Sequence, residues 1–102
     1  MRLKDEYTRY VIMLTLSKKE KATREIFQSH VQYLKKLENS GQLVLAGPFT
    51  NFEGGMVVIK AASYDEAKRV AESDPVVKEG VENYEIRIWE LSCKENNHMG
   101  LG

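Results

Sequence analysis

The segment AGPFTNFEGGMVVI, residues 46–59, says most about how this chain folds. An apolar run, Gln42–Ala46, leads into the segment, and a second apolar run, Gly55–Ala62, continues from it. Between the two runs the chain carries Gly-Pro at positions 47–48 and Gly-Gly at positions 54–55, and both pairs favour turns. The pattern predicts two antiparallel strands joined by a loop.

A strand and a helix are predicted on each side of this hairpin. The outer strands are Thr8–Leu16 and Tyr84–Ser92, both rich in β-branched and aromatic residues. Ser17 and Glu20 have the Ser-x-x-Glu spacing of a capping box, which predicts a first helix from there to about Asn39. Its apolar residues recur every three and four positions, as on one face of a helix. They are Ile26, Phe27, Tyr33, Leu34 and Leu37, with His30 among them.

The second predicted helix begins at another capping box, formed by Ser63 and Glu66. It should end at Asp74, because a proline at position 75 disfavours helical geometry in the residue before it. One further turn is expected over Val76–Gly80. Gly41 is the expected cap at the end of the first helix.

The resulting order, β-α-β-β-α-β, is that of the ferredoxin-like α+β fold. This fold has a four-stranded antiparallel sheet with two helices on one face. Tyr10–Leu14 and Met56–Ile59 are apolar at consecutive positions, whereas a strand with one face in water should alternate. We therefore predict a homodimer in which the uncovered faces of two sheets pack together about a two-fold axis.

Length and charge narrow the possible functions. The 102 residues fit one domain, with a core over residues 8–92 and a flexible tail over residues 93–102. Fifteen basic residues balance fifteen acidic ones, so neither nucleic acid nor an anionic membrane is an expected partner. Cys93 is the single cysteine and Met1–Glu6 lacks an apolar stretch, so we expect a reducing, cytoplasmic location.

His30 and Asp74 are the candidate catalytic residues. His30 stands on the helix face that should press on the sheet, where an imidazole needs a hydrogen-bond partner. Asp74 ends the neighbouring helix and could supply that partner. A carboxylate on one ring nitrogen fixes the tautomer and leaves the other nitrogen to accept a proton. Two plainer interpretations stay open: a packed core histidine bonded to backbone, and a turn-forming aspartate before proline.

Five further residues could line a substrate cleft. Gly47 and Pro48 would expose backbone and stiffen a wall, or simply end a strand. Phe49 would add an aromatic surface, and Ser73 could offer a hydroxyl or only cap a helix end. Arg24 could reach a substrate carboxylate from the rim, although an ordinary surface arginine is the simpler interpretation. No Cys/His cluster predicts a metal and no glycine-rich fingerprint predicts a nucleotide cofactor, so none is expected.

Seven segments, in this order and spacing, resemble the YCII-related (YciI-like) family over roughly residues 8–91. The segments are Tyr10–Met13, His30–Leu37, Gly41–Phe49, Gly54–Met56, Asp65–Ala67, Asp74–Val76 and Tyr84–Trp89. The resemblance implies a dimeric α/β barrel similar to muconolactone isomerases. It also implies an active site built on a His–Asp pair, which falls on His30 and Asp74. Relatives with an assigned reaction act on small ring compounds by elimination or isomerisation.

These observations give one leading hypothesis and two alternatives. The leading hypothesis is a small cofactor-independent enzyme, a lyase or isomerase acting on a compact aromatic or cyclic metabolite. The first alternative is a ligand-binding or regulatory dimer that uses the same cleft without chemistry. The second is a purely structural interaction domain, in which Asp74 would lie far from His30.

Overall fold

The computed structural model describes residues 6–102 and contains the predicted ferredoxin-like α+β fold. The expectation drawn from Met1–Glu6 lies, for residues 1–5, outside this range. A single antiparallel sheet has the strand order β2-β3-β1-β4 and does not close on itself. The strands are β1 (Thr8–Leu16), β2 (Leu43–Pro48), β3 (Gly54–Ile59) and β4 (Glu82–Glu90).

The predicted hairpin is present, and its strands reach further into the loop than the sequence indicated. Pro48 pairs with Gly55 in the β2–β3 register, and the Phe49 amide donates to the Gly54 carbonyl at 2.9 Å. A Cβ on Gly55 would stand 2.7 Å from the Gly47 oxygen. A Cβ on Gly54 would collide with the Leu14 carbonyl oxygen. Glycine at these positions therefore lets three strands approach each other closely.

Helix α1 spans Arg24–Asn39, so the predicted start at Ser17 is wrong. The Ser17 amide donates to the Val81 carbonyl at 2.8 Å, which ties this segment to the chain before β4. Thr23 is the actual N-cap, and its hydroxyl accepts from the Ile26 amide at 3.3 Å. The end of α1 agrees with the prediction. Gly41 adopts φ +81°, the left-handed conformation that glycine tolerates best.

Helix α2 (Tyr64–Ser73) and the single turn α3 (Pro75–Lys78) follow β3. The Ser63 hydroxyl caps α2 by accepting from the Glu66 amide at 3.1 Å, as the capping-box pattern predicted. The chain bends at Asp74, whose extended backbone (φ −67°, ψ 129°) ends α2 and begins α3. This conformation is the one that proline imposes on its predecessor.

The core lies between the sheet and the helices. Tyr10, Ile12 and Leu14 point from β1 towards the helices and are at most 8% exposed. Ala67 and Ala71 present small side chains from α2, which lets that helix approach the sheet. The other buried members of the core are Leu37, Val57, Ile59, Val76 and Val81.

The opposite face of the sheet is also apolar along β1 and β3, whereas β4 places Glu85 and Arg87 there. Val11 and Val58 pair across β1 and β3, are 8% and 1% exposed, and lie outside the core that contacts the helices. Around them Leu45 and Trp89 remain 61% and 45% exposed. The predicted two-sided apolar character of β1 and β3 is therefore present. We call this surface the open face.

The C-terminal residues form turns bound to the end of β4. A 3-10 turn, Lys94–Asn96, precedes residues 97–99, which have left-handed backbone angles (φ 54°, 49° and 62°). Asn96 donates from Nδ2 to the Leu91 carbonyl at 2.7 Å and accepts from the Cys93 amide at 3.1 Å. The flexibility predicted for this tail stays a prediction.

Candidate functional site

His30 and Asp74 meet between α1 and the α2–α3 junction. The Nδ1–H of His30 donates to both carboxylate oxygens of Asp74 at 2.8 Å. The two side chains are 16% and 6% exposed. Two residues separated by 44 positions in the sequence thus form a largely buried, charge-assisted hydrogen bond.

Asp74 also serves the backbone around it. Its Oδ1 accepts from the Val76 amide at 3.2 Å and so caps α3. The turn-forming role considered for Asp74 and its pairing with the imidazole therefore coexist in one side chain. Because the cap fixes the carboxylate, Asp74 can orient the His30 ring without reorganising. The other ring nitrogen, Nε2, forms no hydrogen bond within residues 6–102.

His30 lines a cavity of about 230 Å³ between α1 and the first residues of β3. Gly47 and Pro48 form part of its wall, as the sequence indicated, and Gly54 and Gly55 form another part. The last two residues were expected to serve only the hairpin. The rest of the lining consists of Leu14, Phe27, Val31, Leu34, Met56, Val57 and Glu82. The walls are thus mostly apolar, and few polar groups reach the interior.

Glu82 is the cavity residue that the sequence analysis missed. It is 8% exposed and begins β4, which was predicted to begin two residues later. Burial raises the pKa of Glu82; the nearby His30 opposes this rise and Asp74 adds to it. The alternation of side chains between the two faces of a strand could have identified Glu82. If the strand is extended back by two residues, Glu82 falls on the same face as the half-buried Tyr84 and Ile86.

Tyr33 and Ser73 lie beside the pair. The Tyr33 hydroxyl donates to the Val70 carbonyl at 2.8 Å. Burial raises the pKa of Tyr33, the Asp74 carboxylate adds to the rise, and a hydrogen bond with Ser73 opposes it. Ser73 is exposed at the end of α2, so its hydroxyl acts on Tyr33 and not inside the cavity.

Two other candidate residues lie outside the cavity. Phe49 packs edge-on against Phe52 with ring centroids 6.2 Å apart, in a shallow depression with Leu45. Arg24, at the start of α1, lines a separate surface depression with Gln28. Phe49 therefore does not join its neighbour Pro48 in the cavity wall. Arg24 lies on a part of α1 that faces the surface.

The described part of the chain also bears on metal binding and membrane spanning. Between residues 6 and 102, no group of three or more His, Cys, Asp or Glu side chains could hold a metal ion. Within the same range, no helix has the length and apolar composition needed to cross a bilayer.

Fold and site together define a class of protein: a ferredoxin-like α+β chain with a buried His–Asp pair at a small apolar cavity. The sequence matches the YCII-related domain over residues 8–90, and the chain belongs to that family. It is 32% identical to the uncharacterized protein YjpA of Bacillus subtilis (strain 168), over 80% of this chain and 96% of YjpA.

A solved structure shares the fold. It is 5-chloro-2-hydroxyhydroquinone dehydrochlorinase (TftG) from Burkholderia phenoliruptrix AC1100, in complex with 2,5-dihydroxybenzoquinone. The TM-score is 0.68, at 19% sequence identity, over 80% of this chain and 93% of that one. At this level of identity the likeness concerns the architecture alone.

Proposed function

We propose that this protein is a small cofactor-independent enzyme that uses His30 and Asp74 as an acid–base pair on a compact ring compound. The 2.8 Å contact between the imidazole and the carboxylate, at the wall of a cavity, is the observation that carries the proposal. A cavity of about 230 Å³ is at the small end of ligand sites, so it suits a single ring better than a nucleotide.

In this proposal each member of the pair has a part in proton transfer. Asp74 accepts from Nδ1–H, which leaves the lone pair of Nε2 for a substrate proton. When Nε2 takes a proton from a C–H or O–H group, the electrons of that bond form a new double bond while an adjacent double bond shifts or a leaving group departs with its electron pair. In the first case the imidazolium returns the proton to the far end of the shifted system, which is isomerisation. In the second case the leaving group is released as an anion and the imidazolium gives its proton to solvent, which is elimination. Asp74 stabilises the imidazolium meanwhile.

The second candidate is a dimer that binds a ring compound without transforming it. The apolar walls favour this alternative, because such walls bind a ring whether or not the pair removes a proton. The two candidates differ in what leaves the site. A binding protein releases its compound unchanged after prolonged incubation, whereas an enzyme releases a product.

A homodimer in the cytoplasm is part of the same proposal. The open face offers the exposed Leu45 and Trp89 to a second copy, around the already buried Val11 and Val58, and a two-fold axis would pair the same surface on both chains. The neighbour's ligand, a dihydroxyquinone, supports the choice of ring compounds as the chemical class.

His30→Gln tests the proposal in a turnover screen against hydroxylated and chlorinated ring compounds, followed by absorbance and mass spectrometry. We expect the substitution to lower kcat about 10²–10⁴-fold, the usual contribution of a general base. His98→Gln is the matched control, since His98 lies in the C-terminal turns and contacts Ser92. Turnover that is equal in wild type and His30→Gln would remove His30 from the chemistry.

A further inference from the structure

Glu82 is a buried carboxyl that the proposed His–Asp chemistry does not use. The residue is 8% exposed and lines the cavity together with His30. Unlike Asp74, which holds an imidazole and a backbone amide, the Glu82 side chain forms no hydrogen bond within residues 6–102. Among the described residues, the buried side-chain atom without a partner is Arg9 Nε, so the Glu82 oxygens stay accessible from the cavity. A carboxyl that faces a cavity without a protein partner can bind a group supplied from outside the chain.

The charges around Glu82 come from three elements. On β4 it is the first residue, opposite Leu16 of β1. From α1 the facing group is His30, and from the α2–α3 junction it is Asp74. Among the described residues that line the cavity there is no lysine or arginine, and Arg24 lies in the neighbouring surface depression. The site therefore combines two carboxyl groups with one imidazole.

We propose that Glu82 contacts the substrate, hydrogen-bonds an oxygen of an uncharged ring compound, and excludes rings that carry a carboxylate. This inference rests on the proposed use of the cavity by a small ring compound, and it narrows that class. A ring hydroxyl donates to ionised Glu82, and protonated Glu82 donates to a ring carbonyl; the raised pKa of Glu82 makes the second arrangement accessible. A substrate carboxylate would instead meet ionised Glu82 at the cavity wall, with the Asp74 carboxylate behind the His30 ring, and none of the described lining residues is a lysine or arginine.

Binding of three probes of similar shape measures this selectivity. The probes are 4-methylphenol, 4-methylbenzamide and 4-methylbenzoate, titrated at neutral pH and followed by calorimetry and by the ring resonances of His30. In the wild type we expect 4-methylbenzoate to bind at least ~10-fold more weakly than its uncharged isostere 4-methylbenzamide. We call this difference in affinity between the benzoate and the benzamide the gap. In Glu82→Gln the gap should shrink to within ~3-fold, because glutamine keeps the shape and loses the charge.

Glu79→Gln is the matched control: it makes the same chemical change three residues away, at an exposed position, and should leave the gap unchanged. The proposal is overturned if the gap survives in Glu82→Gln, if wild type binds benzoate as well as the amide, or if 4-methylphenol fails to bind. Arg24→Gln adds a further arm. Weaker benzoate binding in that variant would make Arg24 a carboxylate receptor and would contradict the proposal.

The same data separate this inference from the proposed function. If Glu82-dependent selectivity is present while His30→Gln leaves turnover unchanged, the acid–base proposal fails and the assignment of Glu82 stands. If His30 controls turnover while the gap does not depend on Glu82, the proposed enzymatic function stands and the proposed role of Glu82 in selectivity fails.

Discussion

The two faces of the sheet meet opposite conditions although they are built from the same strands. Tyr10, Ile12 and Leu14 of β1 point to the helices and are covered by the chain itself. Val11 and Met13 alternate with them and point to the open face, outside that core. The helix face also contains the His30–Asp74 pair and the cavity. On the open face, Val11 and Met13 contribute only apolar side chains.

The difference shows where each face obtains its stability. On the helix face, helix packing buries the apolar side chains and Asp74 satisfies the one imidazole. On the open face, Leu45 is 61% exposed and Trp89 is 45% exposed, so apolar area is left for another surface to cover. We therefore expect changes on the helix face to alter chemistry, and changes on the open face to alter assembly.

Asp74→Asn is the substitution on the helix face for which we expect the largest effect. Asparagine keeps an oxygen for the Val76 amide but presents no negative charge to the imidazole. We expect turnover to fall about 10²–10⁴-fold, because the imidazolium loses its counter-ion and the ring its fixed tautomer. Activity assays and circular dichroism check this together. Asp65→Asn, which changes an exposed residue in the first turn of α2, is the control. Full activity of Asp74→Asn would place the pair outside catalysis.

Leu45→Glu tests the open face. Leu45 pairs with Val58, so a charge there would sit within the proposed interface, on its edge strand. The stability of the single chain should change within about 0.5 kcal/mol, since the residue is exposed. The dimer dissociation constant should rise at least ~10-fold, measured by light scattering after size-exclusion chromatography.

Ile88→Glu is the paired comparison, because Ile88 is 62% exposed and pairs with Tyr10, whose side chain joins the helix-side core. It should leave assembly unaffected. A wild-type protein that runs as a monomer at micromolar concentration would contradict the dimer and, with it, the division of roles between the faces.

Glu82→Gln should have the smallest effect, on stability. Because burial raises the pKa of Glu82, the folded chain holds a proton there that the unfolded chain releases. Stability from this group is therefore complete below the ordinary glutamate pKa and is lost as pH rises through the folded pKa. Relative to wild type, the Tm of Glu82→Gln should therefore rise as the pH is raised above the ordinary glutamate pKa, in thermal unfolding measured between about pH 4 and about pH 8.

The control for this measurement is Glu79→Gln, whose Tm should run parallel to that of wild type over the same pH range. A Tm difference between Glu82→Gln and wild type that stays constant with pH would show that Glu82 does not titrate abnormally. Such a result would also argue against a difference in electrostatic environment between the cavity wall and the exposed surface.

Local signals predicted much of the fold because they depend on neighbouring residues. Ser63 and Glu66 placed the start of α2, Gly41 the end of α1, and the proline at position 75 the end of α2. The predicted helix start at Ser17 was wrong because the Ser17 amide bonds to Val81, 64 positions away. A pattern of neighbouring residues cannot indicate so distant a partner.

The candidate site was partly predictable. An imidazole on an apolar helix stripe requires a partner, and Asp74 was the carboxylate that the topology could bring to it. Glu82 was missed because its burial results from the packing of distant elements around the cavity, and not from the residues beside it. Phe49 was predicted to line the cleft and Arg24 to reach it from the rim, and the tertiary structure places both in depressions that adjoin the cavity.

The sequence alone determined the order of strands and helices, the hairpin at residues 46–59 and the need of His30 for a partner, because spacing and turn chemistry act over a few residues. Only the tertiary structure decided which carboxyl groups lie near that imidazole, which side chains line the cavity and which face remains uncovered. Those properties depend on distances between segments far apart in the chain, and such distances exist only once the helices have packed on the sheet.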